Sequence, residues 1–145
     1  MSGADDRQLI TEVLVRYATG IDTKNWSLLR TCFTPEGDAD YGAIGRWTDA
    51  GAITEHMAAV HEKYRATNHC LSNFVVDVSG DRASAVSYVQ AVLALEGEAQ
   101  AGLEAVGRYE DTLVRTADGW RIAKRTFLLT RTSTYGQRPA EASAQ

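Results

Sequence analysis

Apolar positions in the first third of the chain recur at helical spacing. Leu9, Ile10, Val13, Leu14 and Tyr17 fall on one side of a helix that Asp5 or Asp6 is placed to cap. Gly20 weakens that helix, and Asp22-Thr23-Lys24-Asn25 reads as a turn. A short second helix carries Trp26, Leu29 and Phe33 inward and ends at Pro35-Glu36-Gly37. Asp38 to Ile44 reads as a short edge strand. Thr48 or Asp49 then caps a third helix, whose buried stripe is Ile53, Met57, Val60 and Tyr64.

Beyond this point the period changes from helical to alternating. Four strands are predicted, at His69–Val78, Ala83–Leu95, Ala105–Thr116 and Trp120–Arg131. Ser79-Gly80-Asp81 and Ala117-Asp118-Gly119 are tight hairpin turns, and the polar Glu96–Glu104 connection is an exposed hairpin loop. Helices first and strands after predict a segregated α+β domain over residues 1–134. The tail, 135–145, is expected to be disordered. Three helices cover one face of a long sheet, so the other face is expected to meet a second copy in a homodimer or higher homo-oligomer.

Composition narrows the function classes. The chain has 145 residues, 44% of them hydrophobic, which suits one globular domain. A net charge of −4 and the absence of any lysine- or arginine-rich run argue against nucleic-acid binding. Met1-Ser2-Gly3-Ala4-Asp5-Asp6 lacks the parts of a signal peptide, and no apolar stretch approaches the roughly 20 residues that span a bilayer. A cytoplasmic protein without membrane partners is expected. Cys32 and Cys70 sit in apolar company and read as reduced core thiols.

Several segments, taken in order, resemble the SnoaL-like branch of the nuclear transport factor 2-like superfamily, which includes scytalone dehydratase. They are Tyr17-Ala18-Thr19-Gly20-Ile21-Asp22 with Trp26, Phe33-Thr34-Pro35-Glu36-Gly37, Asp40-Tyr41-Gly42, Thr67-Asn68-His69-Cys70-Leu71-Ser72-Asn73, Gly107-Arg108-Tyr109-Glu110-Asp111 and Trp120-Arg121-Ile122-Ala123-Lys124-Arg125. The resemblance implies a cone-shaped, curved antiparallel sheet with three N-terminal helices enclosing a pocket. It also implies that Asp22 faces that pocket and meets His69 at the start of the first long strand. A carboxylate holding one imidazole nitrogen fixes the tautomer and frees the other nitrogen for proton transfer. Tyr41, and after it Tyr17, are the candidate hydroxyl donors.

Candidate substrate-binding residues follow from strand parity. If one parity faces inward, Tyr88, Gln90, Val92 and Ala94 line the cavity. Where scytalone dehydratase carries a second histidine, this chain has Val92 or Ala94, neither of which transfers a proton. On the next strand either Arg108, Glu110 and Thr112 or Tyr109 and Asp111 face in, with Glu110 preferred. Phe127, Leu129 and Arg131 are placed inward on the last strand. Arg131 resembles an arginine of the bile acid 7α-dehydratase.

His56 and His61 flank the third helix's apolar stripe and read as half-exposed surface residues. His61-Glu62-Lys63-Tyr64-Arg65 has arginine where a zincin motif needs its second histidine. With no Cys-x-x-Cys, phosphate-binding glycine loop or dinucleotide fingerprint, neither metal nor cofactor is expected. The leading expectation is a general acid–base dehydratase acting on a small, hydrophobic, oxygenated metabolite. An isomerase or cyclase using the same pocket is the first alternative, and a non-catalytic ligand-binding or assembly subunit the second.

Overall fold

The computed structural model describes residues 3–97 and 100–136. Its helices are α1 (Gly3–Asp22), α2 (Trp26–Arg30) and α3 (Ala50–His61). The strands are β1 (Phe33–Asp40), β2 (Arg46–Trp47), β3 (Tyr64–Ser79), β4 (Arg82–Leu95), β5 (Gly102–Thr116) and β6 (Gly119–Tyr135). All six form one sheet in the order β2-β1-β6-β5-β4-β3. This is the expected α+β architecture, a curved sheet with helices on its concave side. One pairing differs: β1 runs parallel to β6, whereas every other neighbour is antiparallel. Most of the domain lies between these two strands, so no hairpin dictates their relative direction.

Helix α1 starts before the expected caps, which places Asp5 and Asp6 inside its first turn. Asp6 is buried and accepts from both terminal nitrogens of Arg115, at 2.9 and 2.9 Å, and from the Trp120 indole at 3.1 Å. The helix continues through Gly20 to Asp22. A Cβ at Gly20 would lie 3.1 Å from the Leu29 backbone nitrogen, so the glycine permits the close approach of α2. Asn25 caps α2 by accepting from Leu28 N–H.

The second helix is shorter than expected, and Phe33 opens β1 instead of closing the helix. Pro35-Glu36-Gly37 lies where the pairing of β1 with β6 slips, between Phe33 and Asp38. Such a bulge accommodates a residue with no N–H to donate. The strand stops at Asp40, short of the expected Ile44. There Asp40 Oδ1 accepts from Gly42 N–H, and Gly42, at φ +61°, turns the chain into a single 3-10 turn. Asp49 caps α3 through Ala52 N–H at 2.7 Å. Tyr64 belongs to β3, not to the α3 stripe.

Ile10, Leu14, Tyr17 and Ile21 of α1 are each no more than 2% exposed and pack on the concave face against Ala83, Ala85, Val89, Leu113 and Ile122. Burying a side chain of this size contributes about 1.5–3 kcal/mol. Strand β4 alternates cleanly. Ala83, Ala85, Ser87, Val89 and Ala91 are buried on the concave side, while Tyr88, Gln90 and Val92 point outward. Cys32 is in the core, where burial pushes its thiol up to about 11. Cys70 is exposed on the convex face, opposite Gln90, which corrects its expected core position. Its neighbour His69 turns inward, and successive strand residues face opposite sides. Strand β6 runs on to Tyr135, and the rest of the predicted tail, from residue 137, lies outside the described residues.

Candidate active site

Asp22 is the last residue of α1, and its carboxylate faces β3. Oδ1 accepts from the Thr67 hydroxyl at 2.9 Å and lies 2.7 Å from His69 Nδ1, while Oδ2 accepts from the His69 backbone N–H at 2.9 Å. A carboxylate can only accept, so Nδ1 carries the hydrogen and Nε2 keeps the lone pair. Burial alone would raise the Asp22 carboxyl, but the His69 and Thr67 hydrogen bonds outweigh it and hold Asp22 below the usual carboxylate value. His69 lines a cavity of about 400 Å³ whose walls are largely apolar, with Asp22 behind it.

Tyr17 and Tyr41 meet at the cavity, their hydroxyls 2.6 Å apart. Tyr17 comes from the buried face of α1, and Tyr41 immediately follows β1. Burial raises both phenols above their ordinary value, so both stay protonated: one hydrogen bridges the pair, and the other is Tyr41's to donate into the cavity or Tyr17's to donate to the weak acceptor Met57 Sδ at 3.8 Å. The structure therefore brings together Asp22 with His69, and Tyr17 with Tyr41. Phe127, also expected here, lies against the ring of Tyr41, with 5.2 Å between centroids.

The other expected lining residues are corrected. His69 pairs with Ala91 across β3 and β4, and cross-strand partners share a face, so Val89, Ala91 and Leu93 line the cavity. Tyr88, Gln90 and Val92 have the opposite parity and lie on the convex surface. Glu110 is likewise outside, half-exposed and paired with Arg108, whereas Tyr109 and Asp111 face in. Leu129 lies on the Phe127 side of β6 but beyond the cavity and 48% exposed. The β5–β6 register then slips between Leu129 and Arg131, which sets Arg131 opposite outward-facing Val106, where it bonds the Ser133 hydroxyl.

Two features were missed. Beneath the tyrosines, Arg125 and Asp111 form a fully buried two-point ion pair, with Nε to Oδ1 at 2.7 Å and Nη2 to Oδ2 at 2.9 Å. The guanidinium lies over the rings of Tyr109, at 3.8 Å, and Tyr17, at 4.4 Å, and among the described residues its Nη1 has no hydrogen-bond partner. Burial works against both charges. Asp111 nonetheless holds Arg125 above its ordinary value, while burial leaves Asp111 raised. We read the pair as ionised, because two short in-plane contacts are the geometry of guanidinium with carboxylate. The sequence signal was the direct cross-strand opposition of Asp111 and Arg125, hidden by a bulge at Ala123.

The second missed feature is histidine. His56 and His61, expected on the surface, both line the cavity. His56 stacks on Trp47 with 3.9 Å between ring centroids, and His61 is 6% exposed. A roomier groove of about 590 Å³ runs along the exposed side of α1, lined by Arg7, Glu12 and Arg16. It encloses no oriented acid–base pair, so the histidine–tyrosine cavity is the candidate site. Among the described residues no group of three or more His, Cys, Asp or Glu side chains is arranged to hold a metal ion. No helix among the described residues is long and apolar enough to cross a membrane.

Comparison with known proteins identifies the family and the fold. Residues 3–126 match the model of the SnoaL-like domain. An uncharacterized protein of Mycobacterium tuberculosis is 35% identical over 121 residues, 83% of this chain and 82% of its own. Among solved structures, a Kribbella flavida protein superposes with a TM-score of 0.84 at 27% identity, covering 91% of this chain and 95% of its own. A scytalone dehydratase candidate from Novosphingobium aromaticivorans gives 0.80 at 24%, covering 90% and 88%. A hexachlorocyclohexane dehydrochlorinase from Novosphingobium barchaimii gives 0.79 at 14%, covering 91% of each chain. At these identities the last two show the fold alone, the nuclear transport factor 2-like architecture.

Proposed function

Because the chain belongs to the SnoaL-like family, we propose that it is a general acid–base enzyme, a dehydratase acting on a small, hydrophobic, oxygenated metabolite. The observation that carries this reading is the three-point hold on Asp22. Ring N–H, backbone N–H and the Thr67 hydroxyl converge on one carboxylate and leave His69 Nε2 as a fixed base at an apolar cavity. In this reading Nε2 takes a proton from carbon next to a carbonyl or its vinylogue. The C–H electron pair moves toward the carbonyl oxygen, where the Tyr17–Tyr41 pair donates a hydrogen bond to the developing charge. As the C–O bond breaks, the imidazolium returns its proton to the departing hydroxide. One water leaves, and His69 is neutral again. Asp22 stabilises the imidazolium in between.

A dehydratase candidate and a dehydrochlorinase share this fold, and elimination is the reaction carried over from them into this proposal. Isomerisation by the same groups skips the departure of water, so product mass separates the two. The test is a screen of β-hydroxy ketones and hydroxylated ring ketones for loss of one water, repeated with Asp22→Asn and His69→Ala. Loss of the general base is expected to lower turnover by about 10²–10⁴. Full activity in either variant refutes the mechanism. Val75, Tyr88, Val92 and Leu128 are exposed on the convex sheet face, which supports a homodimer joined there. A monomer by sedimentation would remove that part of the reading.

A further inference from the structure

The cavity holds a second imidazole that the proton transfer leaves unused. His61 sits in the last turn of α3, and its Nδ1 lies 2.8 Å from the Met57 carbonyl oxygen. That oxygen only accepts, so Nδ1 carries the hydrogen and Nε2 is a bare acceptor. Burial pulls the ring's pKa down by more than the Met57 bond raises it, so the ring is neutral at pH 7. Its centroid is 5.9 Å from that of His69, and Trp26 and Tyr64 confine it at 6.0 and 5.9 Å. Among the described residues the Met57 contact is its only hydrogen bond. An acceptor held against apolar walls is favourable only while some donor reaches it. Water can do so in the free protein, and a ligand that displaces the water must bring its own donor.

We propose that His61 is a substrate-reading residue: its Nε2 accepts a hydrogen bond from a hydroxyl of the bound ring, so the cavity selects a free hydroxyl over the corresponding ether. A ring needed only to fill this corner would require no acceptor. The backbone tie at Nδ1 fixes which nitrogen is offered, as Asp22 does for His69. This rests on the acid–base reading only in taking the cavity as the substrate site, because the selection is a property of binding and not of turnover.

The probes are 2-naphthol and 2-methoxynaphthalene, which share one ring system and differ in the O–H. Wild-type protein is expected to bind the naphthol about tenfold tighter, the worth of one net hydrogen bond. His61→Phe keeps an aromatic ring and removes the acceptor. It should bring the ratio to within about twofold while leaving the ether's affinity unchanged. Should that variant fail to fold, the wild-type ¹⁵N signal of His61 Nε2 decides, since it should move upfield with the naphthol and stay in place with the ether. Equal affinity for the two probes, no uptake of either, a preference that survives His61→Phe, or an unmoved Nε2 signal overturns the proposal. A preference lost instead in His69→Phe would assign the contact to His69 and leave the acid–base reading intact. Intact selection with no turnover of any hydroxy ketone would do the reverse.

Discussion

Replacing Asp111 by asparagine tests the charge arrangement beneath the tyrosines. Both side chains of the Arg125–Asp111 pair are fully buried, so a guanidinium stripped of its carboxylate cannot recruit bulk water. Breaking a buried pair from one side typically costs about 3–5 kcal/mol. Against the total stability of about 5–15 kcal/mol usual for a domain, that is a large fraction. With a urea m-value of about 2 kcal/mol/M, the midpoint should fall by about 2 M. The assay is equilibrium urea unfolding followed by tryptophan fluorescence, with Asp111→Leu/Arg125→Met as control. Removing both charges should recover most of the loss, because the desolvation cost disappears with the attraction. Asparagine is also the isostere of a protonated aspartic acid. A cost below about 1 kcal/mol would therefore mean that burial had already neutralised Asp111 in the folded protein, and the ion-pair reading would be refuted.

Other expectations follow from the same geometry. The Arg115 and Trp120 hydrogen bonds lower the Asp6 carboxyl to about 2, below the roughly 3.9 of an unfolded chain, so its contribution is present above pH ~4 and lost as pH falls toward 2. Asp6→Asn should flatten the acid-unfolding curve, followed by circular dichroism, within that window. A Cβ at Gly107 would lie 2.5 Å from the Leu128 carbonyl oxygen and 2.8 Å from the Phe127 ring, so Gly107→Ala should cost about 1–3 kcal/mol in urea unfolding. Ser87 is fully buried with no partner for its hydroxyl among the described residues, and Ser87→Ala should leave stability unchanged or raise it by up to about 1 kcal/mol in thermal unfolding.

The elements that were legible are those whose apolar spacing serves a single buried face. Ile10, Val13, Leu14 and Tyr17 announce α1 because one stripe meets one sheet. On strand β4 the concave side carries Ala83, Ala85, Ser87, Val89 and Ala91, mostly small residues that leave room for helices and cavity. Its convex side carries Tyr88 and Val92. The expected inward parity follows from the resemblance, which sets Val92 or Ala94 at an inner-face histidine position, whereas the apolar row of Val89, Ala91 and Leu93 is the one that faces the cavity. Bulges defeat parity elsewhere. The slip between Leu129 and Arg131 turns Arg131 outward, and the slip at Ala123 brings Arg125 rather than Lys124 to the inner face. Asp22 with His69 was legible only through the family pattern, since no periodicity joins residues 47 positions apart. His61 was missed because the last turn of a helix reads as surface until the strand beyond it folds over the ring.

Helix α1 ties the two halves of the candidate chemistry together. It supplies Tyr17 to the hydroxyl pair and Asp22 to His69, so its placement along the sheet sets the distance between donor and base. That placement is fixed near both ends by carboxylates of the helix itself. Asp6 is clasped by Arg115 and Trp120 near its start, and Asp22 is held by Thr67 and His69 at its end. Sixteen residues of helix span about 24 Å between them, at 1.5 Å per residue. A rigid rod anchored near both ends cannot slide by a turn without breaking one anchor. The Asp6 contacts, remote from the cavity, therefore share in positioning the groups that face it. A buried carboxylate at an otherwise apolar interface is tolerated because every approach to it is satisfied, and the same satisfaction fixes the helix register.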